Sequence, residues 1–471
     1  MHTRPVRPIS GEPVKPPGGR TTDRGRGPVE GRVALRADHV LTMQSPHAEP
    51  IVDGTVVLDD GLITDLGGAA EMAGRHPGVP VTHLRGHALM PAFVNAHTQL
   101  AMTMFGGVAD DRSLEDFLAT VVPLESELLD HDVVATASVG AMVESHLAGV
   151  GTALDMYFFP GAVLEAAERC GFRALTGPVV LENEPPDAPG STPEQRLEAL
   201  AAWLADHPAT DSWRPVVNPH STYLVSPDHL RSAAELAARH DAVFHVHAAE
   251  SAGEVATVAA MHSLHPIELL AEVGALGERT VVAHGVQLDE SQIALLADSG
   301  TSVAHCPSSN LKLASGVAPV PQLLDAGVNV ALGTDGSASS NDLDVLGAAR
   351  LAALLHKTVG SGAPDPSRLD ARTTLWMATR SGAAALGLGD TLGLLAPGAM
   401  ADLVAVDLDG PHTQPIYDVH SSILYAAGRG DISQVWSAGR CVVRDGRHQL
   451  VDTDAVVSDL RLLGERTRGT L

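Results

Sequence analysis

The segment TVVAHGVQLDESQIALLADSGTSVAH, residues 280–305, contains a short β-branched run ending in histidine, a loop, a helical stretch, and a second short run ending in histidine. Short apolar runs bounded by breakers read as buried strands, and the Ala- and Leu-rich stretch between them reads as a helix. The same rhythm extends to either side. AVFHVH (242–247) ends at His247 and NVALGTD (329–335) at Asp335, and each is followed by a loop and then helical sequence. Between about residues 89 and 390 such runs alternate with stretches such as HDVVATASVGAMVESHLAG and SPDHLRSAAELAARH, the pattern of repeated strand–helix units. The expected fold class is α/β, a (β/α)8 TIM-type barrel. In such a barrel, polar residues at the C-terminal ends of the strands converge on one mouth, where catalysis is housed. His247, His284 and Asp335 are therefore candidates for a single site, whereas His305 reads as a structural strand-end residue.

The flanks have another texture. GRVALRADHVLTM and GTVVLDDGLITDLG near the start, and ADLVAVDLD and ISQVWSAGRCVVRDGR near the end, are β-branched runs separated by Gly and Asp. They suggest an antiparallel sheet with hairpin corners at Asp-Gly, so both chain ends are expected to build one small β-sandwich domain. Residues 1–28 are rich in Pro, Gly and Arg and cannot offset the entropy of ordering. The expected division is a flexible tail (1–28), the N-terminal portion of the β-sandwich (29–88), the catalytic barrel (89–390) and the C-terminal portion of the β-sandwich (391–471).

Composition excludes several classes. With 57 acidic against 31 basic residues the formal charge is −26, which repels phosphate backbones and anionic lipid, so neither nucleic acid nor a membrane is an expected partner. Cys170, Cys306 and Cys441 form no C-x-x-C pair, which argues against a disulfide framework or a thiolate zinc site. There is no signal-peptide pattern and no apolar run of bilayer length. The expectation is a soluble, cytoplasmic protein acting on a small molecule, with a symmetric homo-oligomer as the common assembly for such enzymes.

The stretch PAFVNAHTQLAMT (91–103) places His97 and Gln99 two apart, on one face if the chain is a strand. A second histidine at position 99 would make half of a metal site; the amide oxygen of glutamine is a much poorer zinc ligand. Together with NPHSTYLVSP, FHVHAAES, VVAHGVQLD, AHCPSSNLKLASGVAPV, LGTDGSASSNDLD and PGAMADLVAVD, this stretch resembles the amidohydrolase superfamily. The likeness is to its branch of S-adenosylhomocysteine and methylthioadenosine deaminases, with triazine hydrolases and other aminohydrolases nearby.

The resemblance implies one divalent metal ion, zinc first and iron or manganese as alternatives, held by His97, His247 and Asp335, with Gln99 at the position of the fourth ligand. It implies Glu250 as general acid and base, His284 as partner of the water or the tetrahedral centre, and His220 as a substrate contact near the leaving group. Glu125 falls where the ribose diol is held, and Arg196 matches an arginine reaching the 5′ substituent. Taken without the resemblance, Glu125 is an ordinary helix carboxylate and Arg196 a surface charge, while His245 supports its neighbour His247.

A purine amino group leaves poorly, so the attack needs a strong nucleophile, and a divalent metal lowers the pKa of bound water from 15.7 to about 7. The implied function is metal-dependent hydrolytic deamination of an adenosine-like nucleoside modified at its 5′ position. Two alternatives stay open. One is hydrolysis of a triazine, guanine-type or related heterocycle. The other is a metal-poor, remodelled member with a binding or non-hydrolytic role, for which Gln99 is the positive sign. MFGG at 104–107 and Phe117, where relatives commonly have LRG and a tryptophan, point to an altered pocket.

Overall fold

The structure, a computed structural model, describes residues 31–359 and 363–471; the tail expected over 1–28 lies outside the described residues. Strands β1 (Val33–Val40), β2 (Ile51–Asp59), β3 (Leu62–Gly68) and β4 (Val81–Pro91) lead into the barrel strands. These are β5 (Phe93–Thr98), β6 (Val150–Asp155), β7 (Arg173–Leu175), β8 (Val179–Val180), β9 (Val216–Pro219), β10 (Val243–Ala248), β11 (Thr280–His284), β12 (Ser302–His305) and β13 (Val330–Leu332). The last four are β14 (Leu403–Asp407), β15 (Ile432–Ser437), β16 (Arg440–Arg444) and β17 (Arg447–His448).

The barrel strands are parallel, in the orders β5-β6-β7 and β8-β9-β10-β11-β12-β13. Strands β7 and β8 are two halves of the third stave, one pairing with β6 and the other with β9. Gly177 lies between them, and a Cβ there would stand 1.9 Å from the Val216 carbonyl oxygen, so only glycine lets the chain pass. The first and last staves are clamped at their ends: Asn95 Nδ2 donates to Thr334 Oγ1 at 2.7 Å, and the amides of Thr334 and Asp335 both donate to the His97 carbonyl at 3.1 Å.

Period-two burial explains these runs. Val94, Leu154, Leu175, Val216, Val243, Val281, Ala304 and Ala331 fill the barrel interior as one cluster, one from each stave. Their neighbours, such as Phe244, Val246, Val282 and Val303, belong to the larger cluster shared with the surrounding helices. A strand coated on both faces reads as a continuous apolar run, which is why these segments were legible.

The β-sandwich domain draws on both flanks. Its strands follow the order β17-β16-β15-β14-β4-β1-β2-β3, so β14 from the C-terminal flank pairs antiparallel with β4 from the N-terminal one, Ala405 opposite Leu89. The expected all-antiparallel arrangement is corrected at one place, since β1 and β4 run parallel, joined through β2, β3 and the short helix Ala69–Arg75. The strand-and-turn texture of the C-terminus also stops at His448, after which Thr453–Thr470 is helical. Asp452 caps that helix through its side chain, and Val456, Leu460, Leu463 and Thr467 form its inward stripe. Leu460 packs onto Gly140 of the barrel helix His131–Leu147, where an added Cβ would meet it at 2.8 Å. A buried ion pair, Arg173 with Asp402, ties the third stave to the segment preceding β14.

Candidate active site

Four strand ends deliver the chemistry. His97 on β5, His247 on β10, His284 at the end of β11 and Asp335 just beyond β13 are all buried, and one ligand atom from each lies within 4.8 Å of all the others. Three of the segments carry strained backbone at this mouth: Ala249, His284 and Asp335 have φ of 56°, 74° and 61°. Non-glycine residues occupy that region rarely and at a cost, and do so mainly where side-chain aim matters.

His97 reaches the mouth by a different route from the one its spacing suggests. The β5–β6 register shifts between Asn95 and Thr98, an irregularity of the kind that re-aims a side chain. Strand β5 then ends at Thr98, and Gln99 precedes a short 3-10 helix, Leu100–Phe105. The same-face argument for His97 and Gln99 therefore does not apply, although Gln99 does line the cavity at this mouth.

Hydrogen bonds set which imidazole nitrogen faces inward. His247 Nδ1 donates to the His220 carbonyl at 2.8 Å and His284 Nδ1 to Asn310 Oδ1 at 2.8 Å, so each leaves its Nε2 lone pair for the centre. For His97 the same result comes through a relay. The Asn218 amide group donates to the carbonyls of Asp155 and Gly177, and its Oδ1 receives His245 Nδ1 at 3.1 Å. His245 Nε2 is then the acceptor for His97 Nδ1 at 2.9 Å. His97 Nε2 lies 3.2 Å from Asp335 Oδ1 and makes no hydrogen bond there. The expectation for His245 is thus corrected: its ring supports His97 across the barrel rather than His247 beside it.

Asp335 is held equally firmly. Ser309 and Ser339 donate their hydroxyls to Oδ2 at 2.7 Å each, and the Gly336 amide donates to Oδ1 at 2.8 Å. Burial raises its carboxyl pKa, but His97 and the charges of His284 and His247 outweigh that and hold it well below the usual range. Burial lowers the pKa of His97, His245 and His247, whereas for His284 the same burial is outweighed by the Glu250 and Asp335 carboxylates, which raise it. Imidazoles converging through Nε2 beside a carboxylate form a donor set that fits a divalent cation. Four strong donors converge here without any contribution from position 99.

Glu250 sits beside this set, its Oε2 3.9 Å from His284 Nε2 and its Oε1 3.4 Å from the Ser315 hydroxyl. Burial pushes its carboxyl up. Its backbone is fixed by a second buried carboxylate that sequence reading missed. Glu254 accepts the amides of Ala249 and Glu250 at 3.1 and 2.7 Å and the Thr222 hydroxyl at 3.1 Å, and burial lifts its pKa to about 7.

These groups open into a cavity of about 320 Å³, whose walls include Gln99, Glu125, His220, His247, Glu250, His284 and Asp335. Glu125, on the helix Leu114–Leu128, accepts the Tyr157 hydroxyl at 2.7 Å; burial raises its pKa to about 7. It is therefore a cavity carboxylate and not a solvated one. His220 Nδ1 is buried without a hydrogen-bond partner among the described residues, and burial lowers its pKa to about 4. His305 is buried outside the cavity lining, its ring 5.4 Å from that of His356.

Arg196 is not brought to the cavity. Its guanidinium donates to the carbonyls of Glu182 and Ser191 at 3.1 and 3.3 Å, stapling the loop that precedes its own helix, Pro193–Asp206. Of the supporting residues, Ser309, Asn310 and Ser315 fall inside the AHCPSSNLKLASG run, while Glu254, Tyr157 and Asn218 carry no local signal that distinguishes them from core polar residues.

The fold and the chain have close counterparts. The zinc-bound crystal structure of an adenosine deaminase from Xanthomonas campestris superposes with a TM-score of 0.86 at 36% identity, covering 93% of this chain and 98% of that one. A 5-methylthioadenosine/S-adenosylhomocysteine deaminase of Thermodesulfovibrio yellowstonii is 36% identical over 439 residues, 93% of this chain and 99% of the relative. A 5′-deoxyadenosine deaminase of Methanothermobacter thermautotrophicus is 37% identical over 405 residues, 86% and 92% of the two chains. The sequence profile of the amidohydrolase family matches residues 88–442, and the chain belongs to that family.

Proposed function

We propose that this chain is a hydrolytic deaminase that converts an adenosine-like nucleoside, modified at its 5′ position, to the 6-oxo product and ammonia. The observation that carries the reading is the shared cavity. The His97, His247, His284 and Asp335 cluster, the buried acid Glu250 and the buried carboxylate Glu125 all face one space of about 320 Å³, within the usual range for a small-ligand site. The activities for which the two relatives are named and the zinc in the Xanthomonas campestris structure support it.

In this reading His97, His247 and Asp335 would hold one divalent ion, zinc, with His284 beside them. When bound, such an ion makes water a competent nucleophile at neutral pH. Asp335 accepts the proton given up as water adds to the amino-bearing ring carbon. Glu250, kept protonated more readily by burial, donates to the adjacent ring nitrogen and assists departure of ammonia. His284, its Nδ1 bonded to Asn310, orients the oxygen through Nε2, and His220 contacts the leaving amine. Glu125 accepts the ribose hydroxyls, a need that a triazine or a free base does not have. The unpaired cysteines, Cys170 and Cys306 buried among them, suit the reducing cytoplasm proposed as its setting.

Ammonia release from a panel of 5′-modified adenosines, free purine bases and triazines tests the proposal. A site built to hydrogen-bond a hydroxyl rejects analogues lacking it by about 10⁴-fold, so nucleosides should dominate the panel by that order. Comparable turnover of a base or triazine would overturn the nucleoside assignment.

A further inference from the structure

Resting on the deaminase reading, we infer that the 5′ substituent this enzyme accepts is uncharged and apolar, such as a hydrogen or a short alkylthio group, and that a substituent bearing a carboxylate is rejected. The cavity walls divide sharply by chemistry. Their acidic and basic side chains are Glu125, Glu250 and Asp335, the histidines at the mouth, and Glu184, with the phenols of Tyr157 and Tyr223; no lysine or arginine lines the space among the described residues. Away from the strand ends the lining is mostly apolar, with Leu114, Phe117, Leu118 and Val121 of the helix that carries Glu125 and with Phe158 and Leu181, while Ser126, Asn183 and Tyr223 add neutral polar groups.

The cation that could have met a carboxylate is already engaged. Arg196 is buried, its guanidinium bound to the Glu182 and Ser191 carbonyls, and its charge is also felt by the half-buried Asp187, whose carboxylate in turn accepts the Phe159 amide at 3.0 Å. Freeing it would release the 182–191 loop that forms part of the wall. At the rim, Glu184 adds a negative charge on an exposed side chain. A substrate carboxylate seated here would be desolvated with no cationic side chain to pair with and with an anion nearby, an unfavourable arrangement. Apolar substituents instead gain from the same walls.

The test is kcat/KM of the zinc-loaded enzyme on 5′-methylthioadenosine, S-adenosylhomocysteine and the methyl ester of S-adenosylhomocysteine, together with the Val122→Arg variant. Val122 lines the cavity on a half-exposed helix face, so arginine there places a cation at the wall without disturbing the core. The expected result is a preference of about 100-fold or more for the methylthio compound over S-adenosylhomocysteine. The ester should recover at least ~10-fold of that loss, and Val122→Arg should narrow the preference by a similar factor. Equal turnover of the methylthio compound and S-adenosylhomocysteine would overturn the inference while leaving the deaminase reading intact. An ester no better than the acid, or a preference untouched by the new cation, would overturn charge as its cause. Failure of every adenosine compound would overturn the deaminase reading itself.

Discussion

Glu250 and Glu125 are two buried carboxylates in one cavity with different work, and their substitutions should separate. Glu250→Gln keeps shape but cannot shuttle a proton, so kcat should fall by about 10²–10⁴-fold with KM little changed, as steady-state ammonia release would show. Glu125→Gln should act on KM for ribose-bearing substrates instead. Its pKa is raised by burial from 4.5 to about 7, so it receives hydroxyls as an anion only above that value, and the parent's kcat/KM should climb through pH 7 where the variant's stays flatter. The stability sign follows the same shift. A carboxyl whose folded pKa is raised stabilises the fold below its unfolded pKa and loses that contribution as pH rises. Denaturant titrations should therefore show Glu125→Gln gaining on the parent between about pH 4.5 and 7. Asn218 governs a single nitrogen: Asn218→Leu breaks the relay that points His97 Nε2 inward, and metal affinity should fall about 10–100-fold by competition with a chelator. His247, His284 and Asp335 were legible as candidates because they end strands in a repeated pattern, whereas His97 entered through the PAFVNAHTQLAMT motif. His245 was given the wrong partner and Asn218 was not singled out, because a relay across the barrel joins residues that sequence keeps 27 and 148 positions apart.

The loop after β10 shows how an element holds its catalytic side chain. The chain turns through a left-handed Ala249, and Glu254, from the first turn of helix Ala252–His262, collects the two amides of that turn. Glu254→Ala leaves those donors unmet, at a cost of about 1–3 kcal/mol, and lets Glu250 drift. The expected signature is a lower kcat with near-normal KM and a reduced unfolding midpoint; an unchanged kcat would show that the turn holds itself. Strand β5 teaches the converse lesson about reading. Its apolar residues identified it as a strand, yet the irregularity between Asn95 and Thr98 has no residue signature, so the route by which His97 and Gln99 both reach the mouth was not legible from their spacing. The terminal helix Thr453–Thr470 was lost for another reason: its one buried stripe is weak beside the β-branched runs that precede it.

Across the whole molecule, the barrel core is fastened to the domain built from both flanks, and the fastening includes a buried charge pair. Arg173→Met removes the cation paired with the buried Asp402 carboxylate and should destabilise by about 3–5 kcal/mol, while the folded fraction keeps its kcat, since the pair lies outside the cavity lining. The barrel and the contribution of both chain ends were readable because period-two burial and flanking breakers are local. The parallel pairing of β1 with β4 was not, since it depends on a connection that folds back over a neighbour. All of this scaffold serves one claim, that His97, His247 and Asp335, with His284 beside them, hold a divalent metal despite Gln99. Plasma mass spectrometry of the untagged protein, purified without added metal, tests that claim most directly. Near one equivalent of a divalent transition metal, zinc foremost, is the result expected. Metal far below one equivalent, with no gain on adding zinc, would contradict it.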